Sequence, residues 1–69
     1  MVIRIKIIGS EKIYREIDVS EISIRDLFRK LGLTSSEYVV LKNNIVVTED
    51  DIARDNDEIT IIPVKSGGS

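Results

Sequence analysis

Sixty-nine residues with no cysteine, histidine or tryptophan form one small domain without a disulfide, and a chain this short buries only about 60% of the surface its unfolded form exposes. The missing residue types remove the usual zinc ligands, thiolate nucleophiles and near-neutral general bases, so any catalysis would rest on carboxylates or lysines and no intrinsic active site is expected. A formal net charge of −2 disfavours nucleic acid as a principal partner, because phosphate neutralisation needs a clustered basic surface.

Residues 2–8, VIRIKII, alternate: Ile3, Ile5 and Ile7 turn to one face, Val2, Arg4 and Lys6 to the other, as in a half-buried strand. GSEK supplies turn chemistry, and IYREIDV (13–19) resumes a strand whose odd positions Ile13, Ile17 and Val19 share the core face, giving an N-terminal hairpin. Arg15 falls on the buried parity, so either it sits at an edge with its stem packed down or a bulge resets the register. The period then changes. Ile24, Leu27, Phe28 and Leu31 recur at i, i+3, i+4 and i+7, the stripe of an amphipathic helix. Ser23 is placed to cap its start with Asp26 three residues on, Gly32 is placed to end it in the left-handed conformation, and Arg29 and Lys30 suit the dipole of the last turn.

TSSE reads as a loop and YVVLK (38–42) as a strand; Asn43 and Asn44 form a two-residue turn, because asparagine tolerates positive φ, and IVV (45–47) pairs back. TEDDIARDNDE is polar, with Ile52 as its single apolar anchor, and is expected to hold one short helical turn. EITIIPV (58–64) is the last strand, with Ile59 and Ile61 facing in and Pro63, which cannot donate to a ladder, near its end. Tyr14 and Tyr38 are expected to pack. The order strand, strand, helix, strand, strand or turn, strand predicts an α+β fold of the β-grasp kind: a mixed four- to five-stranded sheet on one helix. Residues 1–64 then form the body and 65–69 a flexible arm.

The β-grasp order, the DNDEITIIPV segment, the LKNNIVVTEDD hairpin and the SGG end together resemble the ubiquitin-like sulfur carriers and modifiers of prokaryotes. These are the thiamin sulfur carrier, the small subunit of molybdopterin synthase, the ubiquitin-related modifier and the small archaeal modifier proteins. The likeness spans essentially the whole chain, and a diglycine a few residues past the last β-grasp strand is its most specific element. The resemblance implies that a partner enzyme uses ATP to convert the terminal glycine carboxylate, a poor electrophile, into an acyl-adenylate. Sulfur or a lysine amine then displaces AMP, leaving a thiocarboxylate or an isopeptide bond. By position Gly68 is the activated residue, Gly67 its companion, and Val64, Lys65 and Ser66 the arm that threads the enzyme's channel, where the absence of Cβ lets glycine take the imposed φ/ψ.

Ser69 departs from that pattern. In the family the reactive glycine is normally last, so either a peptidase removes Ser69, or it is foreign to the natural chain, or the protein is not activated. The molybdopterin synthase small subunit is the alternative within the family. Its members tend to be longer, which favours the carriers for tRNA thiolation or thiamin and the protein modifiers. The alternative from another class is an unconjugated β-grasp module that binds partners through its sheet; a 2Fe–2S ferredoxin is excluded by the lack of cysteine.

On the outer face of the sheet, parity places Ile8, Leu41 and Ile62, with Val39 next. They would form the apolar patch through which ubiquitin-like proteins bind partners. Lys6, Lys12, Lys30, Lys42 and Lys65 are candidate acceptors if chains form. The acids Glu49, Asp50 and Asp51, and Asp55, Asp57 and Glu58, lack the spacing and glycine of a calcium loop, so they read as a solvated face that also suits a basic surface on the activating enzyme. No metal or bound cofactor is expected. ATP belongs to the partner, an adenylating enzyme of the ubiquitin-activating type, and the products go to a sulfur-accepting enzyme or to target lysines. No apolar run approaches about 18 residues and the N-terminus lacks secretory features, so a cytoplasmic monomer without membrane or nucleic-acid partners is expected.

Overall fold

Isoleucine at alternate positions builds the centre of the fold. In the computed structural model, which describes residues 1–64, strand β1 (Ile3–Ile8) pairs antiparallel with β2 (Lys12–Ile17) and parallel with the last strand, β7 (Glu58–Pro63). The strand β4 (Tyr38–Lys42) lies antiparallel to β7 on its other side and to β5 (Ile45–Val47) beyond. The result is a five-stranded mixed sheet in the order β2-β1-β7-β4-β5, the β-grasp arrangement. One row of the sheet, Ile3, Ile5, Ile59, Ile61 and Val40, is buried against Ile24, Leu27 and Phe28 of the helix α1 (Ile24–Leu31). Each such large side chain contributes about 1.5–3 kcal/mol by leaving water.

The helix is bounded as its sequence indicates. Ser23 Oγ accepts from the Asp26 N–H, and Gly32 sits at φ 72° with its N–H donated to Arg29 while the Leu33 N–H reaches the Phe28 carbonyl, so two terminal carbonyls are satisfied. The loop after β5 satisfies the opposite end: the Ile24 and Arg25 N–H groups donate to the carbonyls of Asp51 and Glu49. Asn43 and Asn44 both have positive φ, 52° and 71°, the geometry of a hairpin turn that matches strand twist.

Four expectations need correction. The segment around Ile52 is not a helical turn: Ile52–Arg54 forms β6, which pairs antiparallel with β3 (Glu21–Ser23) in a second, two-stranded sheet. Its buried anchor is Ala53 rather than Ile52, which is only half-buried. Ser35–Glu37, read as loop, makes one turn of 3-10 helix. Tyr38 packs edge-on to Phe28, ring centroids 6.0 Å apart at 77°, but Tyr14 does not pack and is 69% exposed. The ladder between β1 and β2 runs unbroken from Ile3 opposite Ile17 to Ile8 opposite Lys12, so Arg15 is at an edge and no bulge intervenes. Ile13 keeps the core parity, opposite Ile7, yet remains exposed because no strand covers the far side of β2.

Candidate functional site

Residues directly opposite in an antiparallel ladder share a face. Val40 opposite Ile61 belongs to the buried row, so Val39 opposite Ile62 and Leu41 opposite Thr60 point away from the helix. Lys6 is level with Thr60 in the parallel pair, and the pleat then puts Ile8 level with Ile62 on the same outer face. The structure therefore gathers Ile8, Leu41, Ile62 and Val39 on one face, each half-buried. Val46, opposite Leu41 and 67% exposed, extends this apolar surface; the Asn43-Asn44 turn, which sets its register, was the signal for it. Lys6, Lys12 and Tyr14 form a polar margin along β1 and β2.

The surface lies beside the place where the described chain ends. Pro63 is level with Tyr38, and the Val64 N–H donates to the Glu37 carbonyl at 2.9 Å. Val64 is 51% exposed. Lys65, Ser66, Gly67 and Gly68, to which the arm and the reactive terminus were assigned, lie outside the described residues. Among the acceptor lysines, Lys12 and Lys30 are exposed and Lys6 is half-buried, whereas Lys42 faces the helix side and donates its Nζ to the Ile52 carbonyl at 3.1 Å. Lys65 also lies outside the described residues.

The acidic segments are more structural than a solvated face. Arg25 Nη2 meets Glu49 Oε1 at 2.9 Å and Asp50 Oδ1 at 3.1 Å, and Ser35 donates to the other Glu49 oxygen at 2.8 Å. Asp51 accepts from the Thr48 N–H, and Asp57 accepts from the Arg54 N–H and from Asn43 Nδ2. Among the described residues no group of three or more potential metal ligands gathers in one place, and no helix is long and apolar enough to cross a membrane.

These bonds set an acid response. The Ser35 hydroxyl, then the Arg25 guanidinium, hold the Glu49 carboxyl below its ordinary value. Donation from the Arg54 N–H, helped by Asn43 and by the charges of Lys42 and Arg54, holds Asp57 below its own despite partial desolvation. A carboxylate with a depressed folded-state pKa stabilises the fold fully above its unfolded pKa, and that contribution is lost as pH falls through the folded value. Stability is therefore expected to be level near neutrality and to decline as pH drops below about 4. Ser35→Ala should move the Glu49 carboxyl titration upward, read by carbon-detected NMR.

The family description small archaeal modifier protein 2 matches residues 1–64. The chain belongs to the small archaeal modifier protein family. An uncharacterized protein of Archaeoglobus fulgidus is 32% identical over 68 residues, covering 99% of this chain and 100% of the relative. Small archaeal modifier proteins are ubiquitin-like protein modifiers rather than catalysts, in keeping with a sheet that carries an apolar outer face and an acid network used for bracing.

Proposed function

We propose that this small archaeal modifier is a substrate of an ATP-dependent adenylating enzyme, docked through the outer face of Ile8, Leu41 and Ile62 and guided by Val64, Lys65 and Ser66, with Gly68 as the reacting residue and Gly67 beside it. The observation that carries the reading is the family match over the β-grasp body, followed in sequence, after Lys65, by a serine and two glycines. A carboxylate oxygen of Gly68 attacks the α-phosphorus of ATP and pyrophosphate leaves. Sulfide sulfur then attacks the acyl carbon and AMP departs, giving a thiocarboxylate for tRNA thiolation or thiamin; a lysine amine attacking the same carbon gives an isopeptide bond and tags a protein. The protein itself holds no cofactor, ATP being bound by the enzyme, and it works as a cytoplasmic monomer. Ser69 must be absent or removed for this chemistry.

A chain ending at Gly68, incubated with the activating enzyme of its own organism, ATP and sulfide, is expected to acquire the mass of sulfur in place of one oxygen. Gly68→Ala should fold normally and react about a hundredfold more slowly, since a methyl group at the reacting residue displaces the carboxylate within the channel. If the glycine-ended chain stays unmodified while the enzyme modifies its other substrates, the protein is an unconjugated interaction module.

A further inference from the structure

Strand β2 ends the main sheet, so one row of its N–H and C=O groups faces outward and is open to another strand. Its helix-side row is Ile13, Arg15 and Ile17, opposite Ile7, Ile5 and Ile3. Beside that row runs a groove of about 670 Å³ between the hairpin and the C-terminal end of α1, its apolar lining drawn chiefly from Ile7, Ile13, Leu31, Leu33 and Tyr38, with Ile8 also bordering it. Ile13 stands in it 41% exposed. The charged groups on the groove are Arg15 from the strand, Lys30 from the helix and Glu11 from the turn, a positive balance in a chain whose formal net charge is −2.

Arg15 is set apart from the other arginines. Arg4, Arg25, Arg29 and Arg54 each have a carboxylate partner, and among the described residues Arg15 has none. A charge turned inward on an edge strand repels stray strands, because an apolar side chain laid against it would strip its water without compensation. That repulsion is conditional. A strand bringing a carboxylate to the same place replaces lost hydration with a charge-assisted hydrogen bond.

We propose that β2 accepts, by strand addition, an extended segment of a partner protein whose helix-side row reads apolar, acidic, apolar, with the acid against Arg15 and one apolar side chain in the groove beside Ile13. Backbone bonds along the edge supply affinity and the alternate side chains supply selectivity. A second copy of this chain is a poor occupant, since the same row of β2 contains no acid to offer Arg15. The row of Ile13, Arg15 and Ile17 lies on the opposite side of the sheet from Leu41 and Ile62, and although Ile8 borders both surfaces, a failure at Arg15 would leave the adenylation reading untouched.

The probe is a blocked seven-residue peptide in which isoleucine, glutamate and isoleucine alternate with threonine, beside a twin carrying lysine in place of glutamate. Titrated into nitrogen-labelled protein, the glutamate peptide is expected to shift amides of Lys12–Ile17 and of the groove, and to bind about tenfold more tightly than its twin. Arg15→Glu should reverse that preference. Equal binding of the two peptides, shifts on the outer face instead, or β2 shifts that grow with protein concentration alone would overturn the proposal, the last by showing self-pairing.

Discussion

Replacing Leu27 by alanine is expected to leave a large share of the molecules unfolded under ordinary conditions. Leu27 is fully buried at the middle of the helix stripe, in one cluster with Ile3, Ile5, Ile59 and Ile61. Such truncations cost about 2–5 kcal/mol, the lost transfer energy plus the cavity left behind. At the usual stability per residue, a chain this long has roughly 3–10 kcal/mol in total. One core leucine is therefore a major fraction of the whole, and a urea titration followed by far-ultraviolet circular dichroism should show the midpoint collapse. Arg29→Ala, on the exposed side of the same helix, should change stability by about 0.5 kcal/mol or less.

Leu41→Asp is expected to raise the KM of the activating enzyme for this protein by about tenfold to a hundredfold, with kcat nearly unchanged. Leu41 sits at the centre of the outer face, next to Val46 and two residues along β4 from Val39. A carboxylate there must be desolvated at the heart of an apolar contact, where single substitutions have their largest effects. Steady-state kinetics of pyrophosphate release provide the measurement, and a dispersed NMR spectrum checks that the sheet survives. Leu41→Ala is the milder companion, removing apolar area without adding charge. An unchanged KM in both variants would move the docking surface elsewhere.

How far these features were readable depends on the range of the forces that set them. Helix α1 was legible to its ends because Ser23, the 24-27-28-31 stripe and Gly32 act within a few residues of one another. The Asn43-Asn44 turn is equally local, and through it the pairing of Leu41 with Val46 was implicit. The parity that placed Ile8, Leu41 and Ile62 together needed only the two-residue period of the strands. Strand β6 was not legible: its partner, Glu21–Ser23, is far along the chain, its flanks are polar, and its buried residue is Ala53, whose small side chain gives a weak apolar signal. Ile13 shows a different limit. Its face was readable, but its exposure follows from β2 standing last in the sheet, a fact about topology that no local pattern contains.

The hydrogen bond from the Val64 N–H to Glu37 makes a measuring stick of whatever follows. Gly68 is four residues further on, and a fully drawn-out polypeptide spans at most about 3.6 Å per residue, so that glycine reaches no more than roughly 14 Å from its tether. Under the proposed adenylation, an enzyme that seats the β-grasp body must hold its reacting phosphate inside that radius, which couples where the body docks to where the nucleotide lies.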